Sequence, residues 1–312
     1  MISVLPRSDG RNSARVSLSF STIHDVKDPA TGVTVGRRNP RIRFRVNVKD
    51  DPEMKSQYGE VAVATEGHVA VITFDRRPNN HVSVESMRDL ADALMDIDAE
   101  TELRVSVLTT AGKVFCAGAD LVNPGGVGAE GMQGINPLYV EAVRLFSAKK
   151  PIVAAVQGAA VGAGLGLALV ADFRVAAPEA RFTANFVKLG FHPGFGITYT
   201  LPRLIGQQRA ALLCLTGRRI GGEQAVDWGL ADVLAPLDEL QAAAMQLANE
   251  IAANAPLAVQ STRATFRQGV AEAVKAQTDH ELIEQSWLRK TKDFAEGVRS
   301  VNERRPGNFV GA

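Results

Sequence analysis

Two cysteines, Cys116 and Cys214, are all the chain contains. That excludes a disulfide framework and fits a reducing, cytoplasmic compartment. Aromatic residues reach only 6%, too few to suggest a platform on which single-stranded nucleic acid stacks its bases. Charge of one sign is missing as well. The formal net charge is +1, which gives no electrostatic pull toward nucleic acid or an anionic membrane. The histidines, at 24, 68, 81, 192 and 280, show no metal-ligand spacing. No Gly-x-Gly-x-x-Gly run follows a strand with a matching acid, so no dinucleotide cofactor is expected. An unbroken apolar span is lacking too. From Pro151 to Ala171 the single strongly polar side chain is Gln157, but glycines at 158, 162, 164 and 166 interrupt the run. It reads as a buried strand, a turn and a buried helix rather than a membrane crossing. The beginning of the chain lacks the apolar core of a signal peptide.

Hydrophobic residues make up 46%, enough for a sizeable core. Residues 1–53 differ from the rest, with ten Lys/Arg against six Asp/Glu and no lasting period. Residues 1–57 are therefore expected to form a polar, poorly ordered extension. Met54 is a candidate natural start, and a basic targeting segment is the alternative. From Val61 the pattern is regular. Val61–Thr65 and His68–Phe74 predict a hairpin. Ser83–Ile97 predicts an amphipathic helix with Ser83 at its N-cap. Strands are expected at Val105–Leu108, Ile152–Val156 and Phe173–Ala176, and helices at Pro137–Phe146 and Leu165–Ala171. The last third reads as helical: Gln207–Leu215, Gly222–Trp228, Asp238–Ala253, Pro256–Gln268 and Ala271–Asn302. The alternation is that of repeated βαβ units in an α/β fold, with a core over 58–252 and a helical region over 253–312.

Two turns of small residues stand out. One is Phe115-Cys116-Ala117-Gly118-Ala119-Asp120-Leu121. The other runs from Gly158 to Gly166 and contains Gly162-Ala163-Gly164. Each follows a β-rich apolar run, and small side chains leave backbone N–H groups uncovered. Side by side, two such turns can aim two amides at one oxygen on which negative charge develops. The alternative is that the glycines only let strand and helix pack closely.

The spacing of these turns, the strand from Lys150 to Val156, and Asp172-Phe173-Arg174-Val175-Ala176 resemble the crotonase (enoyl-CoA hydratase/isomerase) superfamily. So do Leu189-Gly190 with Pro193-Gly194, Thr216-Gly217-Arg218, and the ending Asp293 to Gly297 with Arg305-Pro306. The resemblance covers about residues 58–310. It implies a spiral of ββα units with a helical C-terminal region that mediates trimer contacts, in a homotrimer or a hexamer made as a dimer of trimers. It also implies an acyl-CoA thioester substrate, no cofactor beyond its coenzyme A, and an oxyanion hole at the Ala119 and Ala163 amides. Ala117, Asp120, Leu121, Gly162, Phe186 and Leu189 are expected to contact substrate.

The hydratases of this superfamily resemble one another in two glutamates. Here those positions are Gly166 and Phe186, and the slot for an isomerase acid is Gly194. Two-glutamate hydration is therefore not expected, and isomerisation, hydrolysis or decarboxylation stand in its place, with a non-catalytic acyl-CoA-binding protein as the rival. Among the remaining polar groups, His192 is a candidate base, or a histidine bonded to backbone. Asn185 can orient water or a carbonyl. Glu141 is a candidate base on the helix before Lys149, where Tyr139 also lies. His81 and Val82 line the expected coenzyme A path, and Arg305 is a candidate for its phosphates. Cys116 reads as a small buried thiol rather than a nucleophile.

Overall fold

The computed structural model describes residues 54–119 and 136–312. Residues 1–53 of the extension expected over 1–57, and the substrate contacts expected at Asp120 and Leu121, lie outside the described residues. Met54–Ala312 forms one compact unit. Order begins before residue 58: strand β1 (Gln57–Tyr58) pairs antiparallel with β2 (Val61–Glu66).

The hairpin continues from β2 into β3 (Val69–Phe74), and then the sheet turns parallel. Its order is β1-β2-β3-β4-β5-β7-β10, with β4 at Val105–Thr110, β5 at Ile152–Val156, β7 at Phe173–Ala176 and β10 at Val233–Leu234. A parallel strand covered on both faces reads as a continuous apolar run, and β5 is buried at every position. Its alternate residues serve two cores. Ile152, Ala154 and Val156 join the larger cluster, whereas Val153 and Ala155 join a second one with Leu240, Ala244 and Ala248. Those last three come from α6 (Leu240–Ala252).

Helix α1 (Val84–Ala99) buries Met87, Leu90, Leu94 and Ile97 at helical spacing. It packs beside α2 (Pro137–Phe146). A capping box starts α1: Ser83 Oγ accepts from the Ser86 amide at 3.1 Å, and Ser86 Oγ accepts from the Ser83 amide at 2.9 Å.

Several elements differ from the sequence reading. The second turn contains its own short strand, β6 (Ala159–Val161), which pairs with β8 (Arg181–Thr183) and, through it, β9 (Arg219–Gly221) in a separate sheet. Three-residue strands carry too few positions for a period to show. Helix α3 begins at Ala163, two residues before the expected Leu165, because Gly162 at φ 55° caps it. The expected helix Gln207–Leu215 is only the second half of α4 (Ile197–Thr216), which breaks at Gly206 with φ 79°. The last helix divides into α8 (Val270–Leu288) and α9 (Lys292–Asn302). Thr291 makes the division by capping α9, its Oγ1 accepting from the Phe294 amide at 3.1 Å. Between them, α5 (Gly222–Asp227) and α7 (Pro256–Phe266) fall close to expectation.

Replacing the α1 cap tests this account. Ser83→Ala removes one half of the capping box and is expected to lower stability by about 1 kcal/mol, read by urea titration with the m-value unchanged. A loss below about 0.3 kcal/mol would show that the cap is not what fixes the helix start.

Candidate active site

The two small-residue turns lie against each other. The Cys116 amide donates to Ala159 O and Cys116 O accepts from Val161, both at 2.9 Å. This parallel bridge between Cys116 and Ala160 ties the loop after β4 to β6. Gly164 sits directly on the Cys116 carbonyl, and a Cβ there would lie 2.9 Å from Cys116 Cβ. Gly118, at φ 94°, would place a Cβ 2.7 Å from Val161 O and 3.6 Å from the Ala163 nitrogen. Both glycines are required by the close approach, and the approach brings residues 118 and 163 together.

Their amides differ in use from their neighbours. The Ala117 amide donates to Asn79 O at 2.9 Å, the Val82 amide to Gly118 O at 3.0 Å, and the Gly162 amide to Thr183 O at 3.0 Å. The amides of Ala119 and Ala163 have no acceptor among the described residues. Ala163 is the first residue of α3, where N–H groups have no intrahelical partner and the helix dipole adds positive potential.

Both residues line one cavity of about 350 Å³. Of the expected substrate contacts, Ala117, Gly162, Phe186, Leu189 and His81 share that lining, as does Asn185. His81 Nδ1 lies 3.1 Å from Gly118 O. A carbonyl only accepts, so in the neutral ring Nδ1 carries the proton and Nε2 the lone pair. Asn80 holds this segment from behind. It is fully buried, donates to Ala111 O at 2.8 Å and Val114 O at 2.7 Å, and accepts from the Arg76 amide at 2.9 Å.

Other candidates sit elsewhere. Glu141 is not in the cavity lining. It faces α1, paired with Arg88 at 3.2 Å and Arg144 at 2.6 Å. His192 borders a different groove, with Cys214 and Trp287. Its Nδ1 is 2.8 Å from Pro193 O, and its ring meets that of His280 edge-on. Of this loop, Gly194 and Phe195 line the cavity, whereas His192 and Pro193 line the other groove. Arg305 pairs with Glu296 and Glu303 on the surface. Val82 is fully buried below the lining. Cys116 is fully buried as well, and burial pushes its thiol up to about 12, which matches the inert-thiol reading.

The positions without glutamate are filled. A Cβ on Gly166 would lie 2.5 Å from Phe195 Cδ1, so the Phe195 ring takes the room a side chain would need. At Gly194 the occupant is the Tyr139 hydroxyl, and Gln285 Nε2 lies 2.6 Å from where a Cβ would stand. Tyr139, Gln285, Arg289 and Phe195 all line the cavity, although the sequence singles out only Tyr139 among them, and without a role. The Arg289 guanidinium lies 4.6 Å from the Phe191 ring centre, a cation–π contact.

A fully buried carboxyl, Glu281, braces this corner. It accepts from the Gly196 amide at 2.8 Å and from the Thr198 amide at 3.2 Å and hydroxyl at 2.5 Å. Phe195 and Gly196 are both left-handed, at φ 64° and 71°.

The chain belongs to a family of acyl-CoA enzymes, the enoyl-CoA hydratase/isomerase family of the crotonase superfamily. A family model of that description matches residues 64–312. The chain is 41% identical over 231 residues to the probable enoyl-CoA hydratase EchA14 of Mycobacterium tuberculosis, covering 73% of this chain and 89% of the relative. It is 32% identical to the 1,2-epoxyphenylacetyl-CoA isomerase of Escherichia coli, over 78% of this chain and 95% of the relative. The crystal structure of an enoyl-CoA hydratase/isomerase from Pseudoalteromonas atlantica is similar with a TM-score of 0.72 and 29% identity, over 80% of this chain and all of that one.

Burial pushes the Glu281 carboxyl up to about 7 against the three donors that favour its charge. A carboxyl whose folded value lies above its unfolded one contributes stability below the unfolded value and loses it as pH rises through the folded value. The thermal midpoint is expected to drop as pH rises from about 5 to about 8, and Glu281→Gln to flatten that part of the curve. Equal slopes in the two proteins would assign the pH dependence to another group.

Proposed function

We propose that this protein stabilises the enolate of an acyl-CoA thioester between the Ala119 and Ala163 amides. One observation carries the reading: both amides lack an acceptor among the described residues, and both residues line the same cavity. Removing an α-proton, breaking a bond at the α-carbon, or adding to a conjugated double bond all place negative charge on the thioester oxygen. A preorganised backbone donor in such a position is worth on the order of 10²–10³ in rate. Small side chains suffice there because the donors are backbone groups.

The net reaction fits isomerisation, hydrolysis or decarboxylation better than hydration by two glutamates. Phe195 packs into the space over Gly166, and Phe186 puts an apolar ring where the second carboxylate is expected. The named activities of the relatives span isomerase and hydratase, which supports a shared enolate step with different proton handling. The same filled positions favour the rival, an acyl-CoA-binding protein without turnover. Assembly as a trimer is supported by apolar side chains exposed on the C-terminal helices, among them Leu257 and Phe266, each 78% exposed, and Ile283.

A conjugated thioester distinguishes these readings. Cinnamoyl-CoA absorbs at longer wavelength when its carbonyl is polarised, so a red shift on binding is expected with the native protein. Ala119→Pro deletes one donor and should abolish most of the shift while circular dichroism is unchanged. Thermal stabilisation by cinnamoyl-CoA without a red shift would support the binding protein and remove the oxyanion hole.

A further inference from the structure

One corner of the cavity is built around a single phenol. Tyr139, on α2, is 9% exposed yet belongs to the lining. Its hydroxyl donates to Gln285 Oε1, on α8, at 2.8 Å. The Gln285 amide is not free to turn. Its Nε2 donates to His192 O at 3.0 Å and Pro193 O at 3.2 Å, so its oxygen must face the tyrosine. The loop carrying those groups reaches the phenol only because residue 194 has no side chain, since a Cβ there would collide with the Tyr139 hydroxyl. Glu281 then holds the left-handed turn at Phe195 and Gly196 through the Gly196 amide. Helices α2 and α8 and the loop at 192–196 thus converge on one hydroxyl, and its residue lines the cavity. A bolt between α2 and α8 would need no place in that lining.

We propose that Tyr139 is a catalytic acid of this site, delivering its phenolic proton to the α-carbon of the thioester enolate, with Gln285 as the residue that positions it. The inference rests on the oxyanion reading above. The hydroxyl hydrogen rotates about the C–O bond, so the proton held toward Gln285 can be redirected to carbon. In the step, the enolate π pair forms the new C–H bond, the Tyr139 O–H bond breaks, and the thioester carbonyl is restored. The phenolate left behind takes a proton from water. Burial, and after it the charge of Glu281, hold the phenol well above the ordinary tyrosine range, while the nearby Arg289 charge opposes them. The group is therefore a proton donor at neutral pH, and its conjugate base is short-lived.

The test uses the full chain in deuterated water with three thioesters that reach an enolate by different routes. Phenylacetyl-CoA does so by deprotonation, ethylmalonyl-CoA by loss of carbon dioxide, and crotonyl-CoA by addition of water. Native protein is expected to place deuterium at one of the two α-positions of at least one product. Tyr139→Phe should lower that incorporation by about 100-fold. The residual label should enter both positions, because water then protonates without a fixed face. Gln285→Leu keeps the phenol and frees its rotor, so it should erode the stereochemistry with a smaller loss of rate. Binding and the cinnamoyl-CoA red shift should persist in both variants, which a misfolded protein would not allow. Incorporation in Tyr139→Phe within about threefold of native, with one face still preferred, overturns the assignment. So does a native protein that polarises cinnamoyl-CoA but labels none of the three. Absence of the red shift in the native protein overturns the oxyanion reading, and this inference with it.

Discussion

The pair of hydrogen bonds that Cys116 makes, donating to Ala159 and accepting from Val161, decides where the rest of the cavity lies. They join the loop after one parallel strand to a three-residue strand of a second sheet, and so set two chain segments side by side in a fixed register. The Gly164 and Gly118 contacts allow no looser fit. With that register set, the first amide of α3 and the amide of Ala119 have no acceptor among the described residues, while the neighbouring amides of Ala117, Val82 and Gly162 are already bonded within the fold. The unspent donors are a result of backbone geometry, and side-chain chemistry enters only in what surrounds them.

Around this rigid pair, buried polar groups act as struts. Asn80 spans from the β3 exit to the loop at 111–114 with three hydrogen bonds. Glu281 fixes the backbone that carries Phe195. Each is fully buried and bonded to backbone, so each trades desolvation for a defined loop shape. Those loops carry His81 on one segment and Phe195 on another. The cost in stability is placed where the cavity wall needs definition.

Much of the scaffold was legible in the sequence. Strands β2 to β5 and β7 of the main sheet announce themselves through apolar runs, α1 through its period and its cap, and the two turns through clustered glycines. Elements set by tertiary contact were not legible: β1, β6, β8, β9 and β10 are too short for a period, and the first half of α4 carries Pro202 and Gly206, which read against a helix. For the site, backbone groups were easier to place than side chains. Ala119 and Ala163 follow from turn chemistry. Glu141 and His192 lie outside the lining of this cavity, and residue type does not say which way a side chain faces. On α2, Tyr139 and Glu141 are two residues apart, which puts them on different faces of a helix, and only one meets the cavity. Gln285 and Arg289 carry no local signal, since α8 must first be broken from α9 and docked.

Phe195 has a further meaning. Its ring fills the space above Gly166, so neither position can change freely while the other stays. A glutamate introduced at 166 meets the ring, and a small residue introduced at 195 leaves a void over an all-buried helix. The two sites are bound in one steric contract. A carboxylate introduced at 166 therefore needs position 195 vacated first, which gives the two substitutions an order.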